Sequence, residues 1–427
     1  MLILILGANN LCTDLANALI KQGHDICIVS ENSKLLEHLQ QFIDCQTIIG
    51  CPSHPHVLRS ANAEKADMLI AATGNDEMNM IACQVAYSLF KVKRKIAFIS
   101  NAHYWDRHEL FGNDNLPIDT IISLDNVIAD QLSELITFSS GFLYDSFVKS
   151  SLNVGISTIN LLDFEDKCSQ DFRILAIFRG NQLINLDHDT YATGDKILFT
   201  CLNDMMESNI NYIYGTQKPI NKVMLSAPAG VIDAFCNRHQ DYNLKVIMPS
   251  ISDCQALANQ HPNATMLNGH ITEHELLASE NMKKIEYFCA ITKDDEDNIM
   301  AALQAKELGA NKTIAMVNKK HYQTMLSNST IDYILDPTQK VLEQVLAHIS
   351  HPWVKNIHQI PKTNFQLIEL QNTRNLDAKE LSQLNVVACI HADTFVCTGS
   401  NIPKNSIILI LENANASNTQ AKLRKIL

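Results

Sequence analysis

Two short stretches have the residue types and position to hold a phosphate. Gly7-Ala8-Asn9-Asn10-Leu11-Cys12 follows the apolar run Leu2–Leu6, and Ala227-Pro228-Ala229-Gly230-Val231-Ile232 follows Lys222–Leu225. A strand, a tight turn and a helix N-terminus let backbone N–H groups face a pyrophosphate, and glycines let the backbone come close. In the first stretch only Gly7 of three expected glycines is present. An acid that would hold ribose hydroxyls at the end of the second strand is replaced by Ser30, and the adjacent Glu31 would face the other way in an extended segment. In the second stretch Pro228 has no N–H to offer, and the ribose position falls at or near Met248. Losing a charged hydrogen bond costs about 1.5–3 kcal/mol, and about 1.4 kcal/mol is tenfold in affinity. The first stretch therefore reads either as a weakened dinucleotide site or as a plain strand-to-helix turn, and the second as a site that has been lost.

A second constellation occurs twice. Thr73-x-x-Asp76-Glu77-x-Asn79 recurs 219 residues later as Thr292-x-x-Asp295-Glu296-x-Asn298, and Gly50 and Gly269 keep the same spacing. Asp119-Thr-Ile-Ile matches Asp332-Tyr-Ile-Leu at a spacing of 213, which places about six extra residues in the first copy near Arg107–Asn115. The motif follows the fourth strand of each copy, at the sheet edge where open α/β folds place ligands. Its first acid can equally cap the next helix. Both readings stand at this point. His54 and His56 suggest a metal, but the interleaved Pro52 and Pro55 favour a loop or helix start.

The elements that must position these residues are legible in the apolar pattern. Leu2–Leu6, Asp25–Val29, Gln46–Ile49, Met68–Ala72 and Ile96–Ile99 read as strands in the first copy. Between them, Leu35, Leu36, Leu39 and Phe42 form one helical face, and Ala82, Ala86, Leu89 and Phe90 another. The second copy offers Lys222–Leu225, Leu244–Ile247, Thr265–Leu267, Tyr287–Ile291 and Thr313–Val317. Strands alternating with helices of this length predict α/β lobes with parallel sheets. After each copy the texture turns β-rich, with Ile174–Phe178, a turn at Arg179-Gly180-Asn181 and Thr193–Phe199, then Val386–Ile390 and Ser406–Leu411. We expect an α/β chain of two Rossmann-like parallel-sheet lobes, each followed by a small α+β lobe, divided as 1–138, 139–215, 216–349 and 350–427.

At 427 residues the chain is long enough for several cores, and its net charge of −12 argues against a nucleic-acid binder, the basic ending Lys422-Leu-Arg424-Lys425 notwithstanding. No apolar run approaches the roughly 18 residues needed to span a bilayer, so any membrane role must come through a partner. The start, Met1–Leu6, reads as a buried strand rather than a signal peptide. Twelve scattered cysteines with no Cys-x-x-Cys pair point to a reducing compartment.

Ser53-His-Pro-His-Val-Leu58, Ala66–Thr73, the long run Asp76–Phe90 and Ile291–Met300 closely resemble the TrkA family, the peripheral subunits of bacterial Trk potassium transporters. The resemblance spans essentially the whole chain, including the alternation of two RCK N-lobes with two RCK C-lobes. It implies a cytoplasmic, non-enzymatic gating subunit on the cytosolic face of the inner membrane. Its partner would be a TrkH-type potassium translocating subunit, and it would form a dimer or a tetramer ring. It implies NAD or NADH, or ATP or ADP, as ligand, with no metal. Carried over by position, the nucleotide contacts are Gly7, Asn9, Asn10, Ser30, Glu31, Gly50, Thr73, Gly74 and Asn75. Basic residues usual on the fifth strand are replaced by Phe98 and Met316. Two other readings stand beside it. One is a nucleotide-insensitive scaffold of the same transporter. The other is an NAD-dependent dehydrogenase, which needs an acid or base beside the nicotinamide and finds only the scattered His188, His351 and His358.

Overall fold

The computed structural model describes residues 1–137 (apart from 106 and 113), 142–143, 152–158, 172–180, 182–184, 192, 194–202, 221–326, 329–349, 354–360, 363, 365–377, 384–391, 394–396 and 401–413. The expected junctions at 138–139, 215–216 and 349–350, together with His188, His351 and the basic ending, lie wholly or partly outside the described residues.

In the first α/β lobe the strands are β1 (Leu2–Leu6), β2 (Asp25–Ser30), β3 (Gln46–Ile49), β4 (Met68–Ala71), β5 (Arg94–Phe98) and β6 (Thr120–Ile122). The helices are α1 (Asn10–Lys21), α2 (Ser33–Gln40), α3 (Pro55–Ser60), α4 (Asp76–Phe90), α5 (Ala102–Trp105) and α6 (Leu124–Thr137). The sheet order is β3-β2-β1-β4-β5-β6, with parallel pairing throughout. Strand order reverses between β1 and β4, which creates the crevice where such sheets bind ligands. Ile3–Leu6 and Met68–Ala71 are fully buried because helices cover both faces, and this is why these strands read as unbroken apolar runs.

Two short antiparallel strands, β7 (Phe142–Leu143) and β8 (Leu152–Thr158), lead into β9 (Phe172–Arg179), β10 (Gln182–Ile184) and β11 (Lys196–Leu202), in the order β10-β9-β11-β8-β7. The second α/β lobe then repeats the first. It comprises β12 (Lys222–Ser226), α7 (Ala229–Arg238), β13 (Asn243–Met248), α8 (Ile251–Gln260), β14 (Thr265–Asn268), α9 (His274–Ser279) and β15 (Tyr287–Ala290). It continues through α10 (Asp295–Glu307), β16 (Lys312–Met316), α11 (Lys320–Met325), β17 (Tyr333–Leu335) and α12 (Pro337–Ile349). Its order, β14-β13-β12-β15-β16-β17, is that of the first sheet. A last antiparallel sheet is built from β18 (Val354–Gln359), β19 (Phe365–Gln371), β20 (Val386–His391), β21 (Thr394–Val396) and β22 (Ile407–Asn413), in the order β18-β19-β22-β20-β21.

The chain divides into two compact units, Met1–Gln131 with Asn221–Leu342, and Leu132–Ile220 with Glu343–Leu427. The first unit holds both parallel sheets and the second both antiparallel sheets. Within the second unit the two small sheets share one core, in which Ala176, Phe178 and Leu198 pack with Leu367, Ile390 and Leu409. The ring centroids of Phe178 and Phe365 lie 5.2 Å apart.

The strand ends differ from the expected ones by a residue or two, and the helical faces differ more. Leu36 and Leu39 are buried, whereas Leu35, on another side of α2, is 44% exposed, and Phe42, beyond the end of α2 at Gln40, is 72% exposed. On α4, Ala82, Ala86 and Phe90 are buried together with Cys83, while Leu89 faces outward. The extra residues of the first copy include a single 3-10 turn at His108–Leu110.

Candidate functional site

The nine candidate residues all fall at the carboxyl edge of four neighbouring strands, β3, β2, β1 and β4. Gly7 leaves β1 with φ +122°, and an added Cβ would come within 2.9 Å of the Ala72 carbonyl carbon. Only glycine fits between the turn and the end of β4. Asn9 caps α1: its Oδ1 accepts from Cys12 N–H at 2.9 Å, and its Nδ2 donates to Ala72 O at 3.1 Å. Both polar atoms of Asn9 are thus engaged inside the protein. Cys12, in the place of the third fingerprint glycine, is fully buried with its Sγ 3.5 Å from Ala72 O. Burial pushes its thiol up to about 12, so it is a packing group and not a nucleophile. Asn10 is exposed at the first position of α1, and a first-turn N–H has no partner within its own helix.

Ser30 ends β2. Its hydroxyl accepts from Asn32 N–H at 3.2 Å and its carbonyl from Gly50 N–H at 3.0 Å. Glu31 is exposed beside it. Gly50 has φ +155° and packs against Val57. Gly74 has φ +84° with open space where a side chain would go.

The repeated motif forms the same hydrogen-bond staple in both lobes. Asn79 is fully buried; its Oδ1 accepts from Thr73 N–H at 3.0 Å and from Thr73 Oγ1 at 2.7 Å, and its Nδ2 donates to Phe98 O at 2.8 Å. Asn298 does likewise with Thr292 at 2.8 Å and Met316 O at 3.0 Å. Each asparagine therefore ties the end of the fourth strand to the end of the fifth. The acid of the motif holds the loop beyond the fifth strand: Asp76 accepts from Asn101 N–H at 2.9 Å, and Asp295 from Lys319 N–H at 2.8 Å. The cap of the following helix is the preceding residue, Asn75 or Asp294, rather than the motif acid. Glu77 accepts from Tyr104 Oη at 3.0 Å, and Glu296 from Tyr322 Oη at 2.7 Å and Lys319 Nζ at 2.8 Å. The Lys319 hydrogen bond, followed by that from Tyr322, holds Glu296 down at about 2.

A cleft of about 750 Å3 opens beside this edge, between the carboxyl ends of β4–β6 and the face of α7 that runs from Gly230 to Arg238. Gly74, Asp76, Glu77, Asp125, Asp233 and Arg238 are among the residues that line it. Its charge is mainly acidic, which disfavours a phosphate ligand there. Asp125, Asp233 and Arg238 were not singled out from the sequence, because they meet only when the two lobes pack. Among the described residues no cluster of three or more His, Cys, Asp or Glu is arranged to hold a metal, and His54 caps α3 without a side-chain bond.

The TrkA-N domain family matches residues 3–124 and 230–337. The chain is 31% identical over 404 residues to the Trk system potassium uptake protein TrkA of Haemophilus influenzae, covering 90% of this chain and 88% of that one. It is 30% identical over 382 residues to the protein of the same name from Halomonas elongata, covering 86% and 83%. Among solved structures, the GsuK RCK domain superposes with a TM-score of 0.65 at 14% identity, covering 99% of this chain and 95% of that one. The GsuK channel bound to NAD superposes at 0.63 and 14%, covering 99% and 78%. These structures share the fold.

Proposed function

This chain belongs to the TrkA family of Trk system potassium uptake proteins, and from that premise we propose that it is the cytoplasmic regulatory subunit of a potassium transporter and that its first α/β lobe is the nucleotide-responsive one. No described helix is long and apolar enough to cross a membrane; in this reading the ion path belongs to a TrkH-type partner. The chain acts by conformation and not by catalysis, as a homo-oligomer on the inner membrane's cytosolic face. A nucleotide moves such a gate only through its differential affinity for the two states. The four-lobe division at 138, 215 and 349 is kept as part of this reading.

The observation that carries it is the contrast between the two strand-to-helix turns. The first keeps Gly7 at positive φ and an exposed Asn10 at the start of α1. The second has Pro228 as cap, with no side-chain hydrogen bond, and Ala227 and Ala229 in place of glycines. NAD(H) fits the first crevice by analogy with the NAD-bound GsuK channel. The test is potassium uptake in cells with and without this chain, and with Asn10→Glu in its place. Loss of uptake control without the chain, and loss of its nucleotide response in the variant, are expected. Uptake that is the same in all three contradicts the reading. The engaged side chain of Asn9 favours the second reading, a scaffold indifferent to nucleotide, for which the variant would behave as the native chain while the deletion would not.

A further inference from the structure

A basic hollow lies at the other edge of the second parallel sheet. It measures about 310 Å3, and Lys222, Asn243, Lys245, Glu280, Asn281 and Lys284 are among the residues that line it. Lys222 and Asn243 open β12 and β13, so this is the amino edge, away from the strand ends where such folds hold their usual ligands. Three ammonium groups around one hollow run against a net charge of −12 for the chain. Like charges gather at a cost unless an anion answers them.

One of the three is answered from within. Lys245 Nζ donates to Glu280 Oε2 at 2.5 Å, and the two side chains are 28% and 20% exposed. Among the described residues no ion pair engages Lys222 or Lys284, both of which are exposed. Glu286, next to Lys222 in the sheet, turns its carboxylate to the backbone, where Oε2 accepts from Asn221 N–H at 2.6 Å and Lys222 N–H at 2.8 Å. The hollow is thus left with two uncommitted ammonium groups and the side-chain amides of Asn243 and Asn281 as neutral donors.

The first lobe builds the same place differently. Lys222, Lys245 and Glu280 correspond to Leu2, Cys27 and Ala61, and only Lys284 has a basic counterpart, Lys65. Cys27 and Ala61 have no exposed surface and belong to the first lobe's core. Packed apolar groups are commonly as stabilising as a desolvated ion pair. Stability alone therefore does not account for the lysines of the second lobe.

We propose that this hollow is a binding site for a phosphate group, gripped by Lys222 and Lys284, with Lys245 held beside them by Glu280. Lysine meets phosphate as a point charge, and the hollow matches the small end of ligand pockets, about 300 Å3. The site does not depend on whether the first lobe binds nucleotide.

The experiment is equilibrium dialysis of the full chain against radiolabelled inorganic phosphate. It compares the native protein, the double variant Lys222→Gln with Lys284→Gln, and Glu280→Gln. Both lysines are at the surface, so the double variant keeps the fold, which its unfolding midpoint checks. The native chain is expected to take up one phosphate that the double variant binds at least about tenfold more weakly, since one lost charge-assisted hydrogen bond already counts for that much. Glu280→Gln releases the Lys245 ammonium and is expected to tighten uptake. Sedimentation with phosphatidylcholine vesicles, with and without phosphatidic acid, separates the sources of the phosphate. Capture by the acidic vesicles that the double variant loses assigns the site to a lipid headgroup, and no capture assigns it to a soluble phosphate compound. Phosphate uptake that is absent from the native chain, equal in the double variant, or not tightened by Glu280→Gln overturns the proposal.

Discussion

Replacing Asn79 by Ala tests whether the repeated motif is a structural staple. The change removes three hydrogen bonds, two from Thr73 and one to Phe98 O, at a side chain with no exposed surface. It leaves the Thr73 N–H and the Phe98 carbonyl without a partner near the sheet edge, and a buried orphaned polar group costs about 1–3 kcal/mol. Two such groups give a loss of about 2–6 kcal/mol, a large part of the stability of a domain. Trp105 belongs to the same lobe, its Nε1 donating to Ile99 O at 2.8 Å. With Trp353 replaced by Phe, Trp105 fluorescence in a urea titration reads the compact unit that holds both parallel sheets. The midpoint for Asn79→Ala should fall by a corresponding amount, and Asn298→Ala, which removes the equivalent staple of the second lobe, should lower it by a similar amount. A loss below about 1 kcal/mol for Asn79→Ala would refute the staple, because it would mean that water or a ligand satisfies those groups instead.

Three further outcomes follow from the geometry. Gly7→Ala combines positive φ with a collision at Ala72, whereas Gly74→Ala meets only positive φ in open space; denaturant titration should show about 1 kcal/mol for Gly74→Ala and clearly more for Gly7→Ala. Lys95, 1% exposed, pairs with Asp119 at 2.8 Å and donates to Val92 O and Lys93 O. Asp119→Ala strands that ammonium and should cost about 2–3 kcal/mol, while Lys95→Met should cost less, by the same titration. Burial pushes Asp332 up, but hydrogen bonds from Lys306, Lys312 and Thr313 N–H outweigh it and hold it below its ordinary value of 3.8. A carboxyl depressed in the folded state contributes stability that is present above the unfolded value and lost as pH falls through the folded one. The unfolding midpoint should therefore drop on acidification below about pH 4, and Asp332→Asn should flatten that dependence.

The two α/β lobes were legible because strands buried on both faces must be written as apolar runs, and a duplicated motif fixes their correspondence. The roles within the motif were less so. Thr73, Asp76 and Asn79 stand out by spacing, yet only the packed sheet shows Asn79 reaching across to Phe98 O and Asp76 turning to the loop after β5. Phe42 was placed on a buried face because helical periodicity does not reveal where the helix ends, and Leu35, inside α2, lies off the stripe that Leu36 and Leu39 bury. Asp125 and Gly230 carry no local signal at all. They lie more than a hundred residues apart, and their meeting depends on how one lobe packs against the other. The degenerate fingerprint was readable as a loss, whereas the compensations were not: Cys12 filling the third glycine position and Asn9 tying α1 to β4 appear only in three dimensions.

The most direct test is calorimetric titration of the purified full chain with NADH, NAD, ATP and ADP, beside an Asn10→Glu variant. Asn10 is exposed and its replacement puts an acid in the first turn of α1, which suits the helix and repels a phosphate. Gly7→Trp would serve poorly as a control, since Gly7 is wedged against Ala72. One nucleotide of the four should bind with a stoichiometry of about one per chain, and binding should vanish in the folded variant. No heat from any of the four, or two sites per chain, would contradict a single sensor in the first lobe.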